Sequence, residues 1–226
     1  MTGQLALVGA LLPLVACAQG ASTAEAPLRY LAFGDSYTIG EGVAPTERWP
    51  EQLAGMLRAE GFALADPEII ARTGWTTGEL DTGIDLAAPS GRYDLVTLLI
   101  GVNNQFRGMS IDEYRVEFAG LLERAIGFAG DDPRGVLVLS IPDWGVTPFA
   151  ATYDRARVAV EIDLFNAAAR QEAEGRGVPF LDITGISRRA ADDTGLLADD
   201  GLHPSGEMYR QWARLAFEFA ATALSR

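Results

Sequence analysis

The chain has 226 residues, 48% of them apolar and 22% charged, which is the size and balance of one globular domain and excludes a disordered or fibrous polymer. Its formal net charge is −13, from 31 acidic against 18 basic residues, and every basic residue is an arginine. A Schiff-base lysine and a P-loop lysine are therefore excluded. No nucleic acid is expected as a partner, because so acidic a surface releases no counterions from a phosphate backbone.

The first apolar run, Leu5 to Ala16, is interrupted only by Gly9 and Pro13. It is too short for a transmembrane helix and has the length of a signal-peptide core. Leu14-Val15-Ala16-Cys17 follows at its end, and resembles the lipobox of bacterial lipoproteins, in which the cysteine is lipidated. The alternative is a plain secretory signal, cut at Ala16-Cys17-Ala18 or Ala18-Gln19-Gly20. Met1 to Gln4 lacks the usual basic residue, a departure that a start further upstream would account for. Residues 1–26 are thus expected to be a signal peptide and tether, and residues 27–226 the working domain. The expected location is outside the cytoplasm, as a periplasmic protein or one attached to a membrane through lipidated Cys17. Cys17 is the only cysteine and His203 the only histidine, so no intramolecular disulfide is available and no transition-metal site is expected.

From Leu28 onward, strand and helix patterns alternate. Leu28 to Phe33 is a short apolar run closed by Gly34, a predicted first strand. Pro50 to Glu60 carries Leu53, Met56 and Leu57 at helical spacing. Glu68 to Ala71 is a second strand and Thr77 to Leu86 a helix. Asp94 to Ile100 is a near-continuous apolar strand of the kind covered on both faces. Ser110 with Glu113 three residues on has the form of a capping box, opening a helix through about Phe128. Gly135 to Ile141 is another buried strand, Asp154 to Glu174 a long amphipathic helix, Val178 to Ile183 a last strand and Ser205 to Leu224 a terminal helix. This alternation predicts an α/β fold of parallel βαβ units with helices on both faces of one sheet. Ligands then bind beyond the carboxyl ends of the strands, which directs attention to Gly34-Asp35-Ser36, Arg72-Thr73-Gly74, Gly101-Val102-Asn103 and Pro142-Asp143-Trp144.

Ser36 follows the first strand. A serine hydroxyl is a weak nucleophile without a base, and at a strand end it equally serves as a cap or turn residue. His203, in Asp200-Gly201-Leu202-His203-Pro204, supplies a base. An aspartate three residues earlier, across a turn permitted by Gly201, reaches back to the imidazole Nδ1–H and leaves Nε2 to accept the serine proton. Asp199 is the alternative partner, but the three-residue offset favours Asp200. Donors for an oxyanion are the N–H groups of Ser36 and Gly74 and the side-chain amide of Asn103. Each has a plain structural alternative, Gly74 as a turn glycine and Asn103 as a helix cap.

Gly34-Asp35-Ser36, Gly74, Gly101-Val102-Asn103 and Asp200-Gly201-Leu202-His203 resemble, in order, the four blocks of the SGNH/GDSL hydrolases, and span almost all of the chain beyond the tether. The resemblance implies a three-layer α/β/α, flavodoxin-like fold with a parallel sheet of about five strands. It implies Ser36 as nucleophile, Asp200 and His203 as its triad partners, and Ser36, Gly74 and Asn103 as the oxyanion hole, with no metal or organic cofactor. Tyr37 stands where the motif has leucine, and Asn104 where many members have aspartate, so Asn104 receives no role. Arg72 to Thr77 and Gly101 to Gln105 look like a bacterial lysophospholipase-like branch. The expected activity is hydrolysis of a small-molecule, lipid or glycan ester through an acyl-enzyme. The alternatives are acyl transfer by the same triad to a glycan or other hydroxyl, and a noncatalytic binding protein. Trp75, Phe106, Trp144 and Phe149 are candidates for lining an acyl or leaving-group pocket, although loop aromatics equally serve packing. Arg107 reads as a solvated surface arginine, with contact to an anionic head group as the alternative.

Overall fold

The computed structural model describes residues 1–3 and 26–226. The apolar run, both cleavage sites and Cys17 lie outside the described residues. The sheet is made of β1 (Tyr30–Gly34), β2 (Glu68–Ala71), β3 (Leu95–Leu99), β4 (Val136–Leu139) and β5 (Phe180–Leu181). All four pairings are parallel, in the order β2-β1-β3-β4-β5, so the fold is the expected flavodoxin-like one. The helices are α1 (Ser36–Ile39), α2 (Trp49–Ala59), α3 (Thr77–Ala87), α4 (Val102–Phe106), α5 (Ile111–Phe128), α6 (Arg155–Gly175), α7 (Thr184–Arg188) and α8 (Gly206–Leu224). β3 contacts α5 and α8, while α2 packs along α8 and α5 along α6, which gives three layers.

Covering on both sides explains the composition of the central strands. Every residue of β1, β3 and β4 is buried, and the two side-chain hydroxyls among them, those of Tyr30 and Thr97, hydrogen-bond each other at 3.1 Å. The edge strands β2 and β5 are only partly covered. β5 is shorter than the predicted Val178 to Ile183 because Pro179 has no N–H to give the ladder, and because the N–H groups of Ile183 and Thr184 turn instead to Ser140 Oγ, at 2.8 and 3.1 Å. β1 begins two residues late, since the Arg29 N–H bonds Asp94 Oδ2 at 2.8 Å.

Four of the five long helices start on side-chain caps, Thr76 for α3, Ser110 for α5, Asp154 for α6 and Ser205 for α8, while α2 has none. The reciprocal capping box joins Thr76 to Glu79. At Ser110 the box is incomplete, because the Glu113 carboxylate takes the serine hydroxyl, at 3.0 Å, in place of the backbone N–H.

The sheet order reverses between β1 and β3, so the connections leaving their carboxyl ends diverge and open a crevice. At that point the packing is tight. A Cβ on Gly34 would stand 2.1 Å from Thr38 Oγ1 and 2.6 Å from the Leu99 carbonyl oxygen. Gly34→Ala is therefore expected to lower stability by about 2–3 kcal/mol. Urea unfolding should show only partial recovery when Thr38→Ala is added, because the Leu99 carbonyl stays where it is.

Candidate active site

Gly34 lets the chain turn at once from β1 into α1. Asp35 is the cap of that turn, with Oδ1 accepting the Tyr37 N–H at 3.0 Å, and Ser36 is the first helical residue. The cap role falls to Asp35, which leaves the Ser36 side chain to face a cleft. The Ser36 N–H takes no intramolecular hydrogen bond among the described residues, as is usual for the first turn of a helix.

The cleft, of about 150 Å³, is lined by Ser36, Tyr37, Thr73, Gly74, Val102, Asn103, Phe106, Trp144, Phe149, Leu202 and His203. The predicted residues Ser36, Gly74, Asn103 and His203 thus meet on one surface, and Asp200 sits behind the histidine. Asp200 Oδ2 lies 2.6 Å from His203 Nδ1, and its Oδ1 accepts the N–H groups of Leu202 and His203, both at 2.9 Å. Burial opposes charge on Asp200, but the His203 ring bond and the two backbone N–H groups outweigh it and hold the carboxyl below the ordinary range. A carboxylate only accepts, so Nδ1 carries the proton and Nε2 presents a lone pair. Tyr37 lies against the imidazole, with ring centroids 5.5 Å apart. The departure from leucine at that position thereby becomes a wall for the histidine. No hydrogen bond joins Ser36 Oγ to His203 Nε2 among the described residues; such bonds commonly close only on substrate.

Gly74 has φ +84°, the left-handed region that favours glycine, and its N–H has no partner among the described residues. Asn103 is not a helix cap: the cap of α4 is Gly101, and Asn103 Nδ2 donates to the Trp75 carbonyl at 2.9 Å. Three neighbours that the sequence reading left without a role complete this frame. Asn104, fully buried, accepts the Thr77 N–H at 3.1 Å and donates to its hydroxyl at 2.6 Å. Gln105 accepts the Trp144 indole N–H at 2.8 Å. Arg107 is not a free surface cation, because it donates to the Gly74 carbonyl at 2.5 Å and pairs with Glu79 at 3.2 Å. The polar run Asn103-Asn104-Gln105 was the available signal for the first two.

Among the described residues, no group of three His, Cys, Asp or Glu side chains is placed to hold a metal ion. A family model described as the GDSL-like lipase/acylhydrolase family matches residues 32–211. Solved structures of similar fold include TesA, at 18% identity and a TM-score of 0.67, covering 86% of this chain and 99% of that one. A lipase/acylhydrolase from Enterococcus faecalis has 19% identity and a TM-score of 0.65, over 86% and 96% of the two chains. Axe2, an acetylxylan esterase from Geobacillus stearothermophilus, has 18% identity and a TM-score of 0.64, over 85% and 94%. No curated protein matches by sequence.

Asp35 adds a pH dependence. It is fully buried and its Oδ2 has no hydrogen-bond partner, so burial pushes the carboxyl up to about 7 against the pull of the Tyr37 N–H. A carboxyl raised on folding binds more protons in the native state than in the unfolded one between the ordinary value and the raised one. Stability is then lost as pH rises from about 4 to about 7, by on the order of 1 kcal/mol per pH unit. Asp35→Asn keeps the acceptor for Tyr37, and denaturation midpoints measured across that range should lose this slope.

Proposed function

The chain belongs to the GDSL-like lipase/acylhydrolase family, and on that premise we propose that it is a serine ester hydrolase with Ser36 as nucleophile, His203 as base and Asp200 as the carboxylate that orients it. The observation that carries this reading is the meeting of Ser36, Gly74, Asn103 and His203 on one cleft, with the 2.6 Å bond between Asp200 and His203 behind it.

Ser36 Oγ attacks the ester carbonyl carbon while its proton passes to His203 Nε2. Asp200 keeps the imidazole in the required tautomer and offsets the charge of the imidazolium. The carbonyl oxygen, now an oxyanion, takes the N–H groups of Ser36 and Gly74 and the Asn103 amide. The C–O bond to the alcohol then breaks, and His203 returns its proton to the departing oxygen. Water, deprotonated by the same histidine, attacks the acyl-enzyme, and the acid leaves as Ser36 recovers its proton. Transfer of the acyl group to another hydroxyl would use the same residues, and no feature of the cleft favours it over water.

Ser36→Ala should reduce hydrolysis of p-nitrophenyl acetate by at least about 10³-fold, and His203→Asn by a similar factor, since no second histidine can replace it. Circular dichroism should show both variants folded. A Ser36→Ala enzyme that keeps most of its activity would sink the assignment.

The domain of residues 27–226 is further proposed to act outside the cytoplasm, with Cys17 as its lipid attachment point; support comes from the apolar run Leu5 to Ala16 and the motif that follows it. Expressed in bacteria fed radiolabelled palmitate, the chain should take up label and sediment with membranes, and Cys17→Ser should do neither. An unlabelled, soluble wild-type chain would favour the plain secretory signal.

A further inference from the structure

The cleft holds two separate groups of rings. Phe106, Trp144 and Phe149, with Tyr153 stacked on Phe149 at 5.9 Å and 20°, form an aromatic wall. Tyr37 pairs with none of these rings among the described residues. It belongs to a column that leads from α8 to the histidine. Tyr209 packs edge-on against Trp212 at 5.2 Å, Trp212 lies 6.4 Å from Tyr37, and Tyr37 lies 5.5 Å from His203 with the planes at 59°. Tyr209 and Trp212 are fully buried and Tyr37 nearly so, which leaves the column little room to shift.

The bond from Asp200 fixes only one nitrogen of the imidazole. A ring held at Nδ1 can still tilt about that bond, and the tilt sweeps Nε2 along an arc. No hydrogen bond to Ser36 holds Nε2 among the described residues, so a second contact has to set the tilt, and Tyr37 supplies it from the side. Tyr37 follows Ser36 and shares its turn, which Asp35 Oδ1 fixes through the Tyr37 N–H at 3.0 Å. The same stretch also backs the aspartate, since a Cβ on Gly42 would stand 2.9 Å from Ala198 Cβ and 3.5 Å from Asp200 Oδ2. Asp35 to Gly42 thus carries the serine and touches both members of the Asp200–His203 pair. The Tyr37 hydroxyl has no part in this. It makes no hydrogen bond among the described residues, and burial, reinforced by Asp35, Asp200 and Asp143, pushes its pKa up, so it exchanges no proton near neutral pH.

We propose that Tyr37 is a positioning residue for ester hydrolysis: its ring, braced by Trp212, sets the tilt of the His203 imidazole and so aims Nε2 at Ser36 before substrate binds. The inference rests on the ester-hydrolase reading and names a residue that acts through the base of that reading.

Tyr37→Leu removes the ring and keeps an apolar side chain. On p-nitrophenyl acetate its kcat should fall about 10- to 100-fold, the cost of a displaced catalytic group, with KM within about threefold of wild type. Tyr37→Phe should keep at least about half of the wild-type kcat, because no hydrogen bond is lost. A double-mutant cycle separates positioning from a merely structural role: in His203→Asn, which has no imidazole to tilt, adding Tyr37→Leu should cost less than about twofold more. Tyr37→Met, closer in volume, repeats the cycle if circular dichroism finds Tyr37→Leu unfolded. The same loss in both backgrounds, full kcat without the ring, or a folded Tyr37→Phe that loses more than about tenfold would overturn the proposal. A wild-type chain that cleaves no ester would sink the hydrolase reading, whereas an active wild type with an equally active Tyr37→Leu would sink the positioning alone.

Discussion

Five residues of α4 and the arginine that ends it hold two sides of the cleft, the segments after β2 and β4, in register. Val102 lines the cleft, Asn103 fastens the Trp75 carbonyl, Asn104 fastens Thr77, Gln105 fastens the Trp144 indole, Phe106 joins the aromatic wall and Arg107 fastens the Gly74 carbonyl. Successive side chains of a helix turn point about 100° apart, so a short helix standing at the end of a strand can reach loops on every side of it. Here it does so with polar groups, and the loops after β2 and β4 take their positions from it. The helix in turn stands on β3, whose buried residues leave it little freedom to move.

The geometry of Ser36, the proposed nucleophile, depends on a different constraint, the absence of room at Gly34. With Thr38 and the Leu99 carbonyl pressed against it, the chain leaves β1 directly into α1, and Asp35 is drawn into the interior as the cap. An unpaired buried carboxyl oxygen is costly, and here it lies one residue from Ser36. The fold thus tolerates an unsatisfied buried group next to the proposed nucleophile, and the packing of β1 and α1 compensates for its cost elsewhere.

Much of this was legible in the sequence. The five strands and the five long helices follow from period and composition; Ser36, Gly74 and Asn103 follow from their places after strands, and His203 from its place three residues after Asp200 in the segment before the terminal helix. Strand ends were less legible because they are decided by single hydrogen bonds, such as Arg29 to Asp94, that link distant residues. The short helices α1, α4 and α7 have too few turns to show a period. Arg107 and Asn104 were missed for a related reason: their partners, Gly74 and Thr77, lie about thirty residues away, and only the fold brings them near. Tyr153 carried no strand-end signal at all, since it joins the aromatic wall through a turn of irregular chain.

The loop that carries this wall is tied to the loop that carries the histidine. The Phe149 N–H donates to the Gly201 carbonyl at 3.2 Å, and the Ala198 N–H donates to the His203 carbonyl at 2.7 Å. Both bonds are made by backbone and leave the Phe149 ring free. Evolution can therefore exchange the side chains at positions 149 and 153 without moving His203, whereas an inserted or deleted residue between Thr147 and Tyr153 would pull on its loop. The aromatic surface of this chain is free to vary by substitution while the length of the loop is held, and relatives should differ there in letters before they differ in spacing.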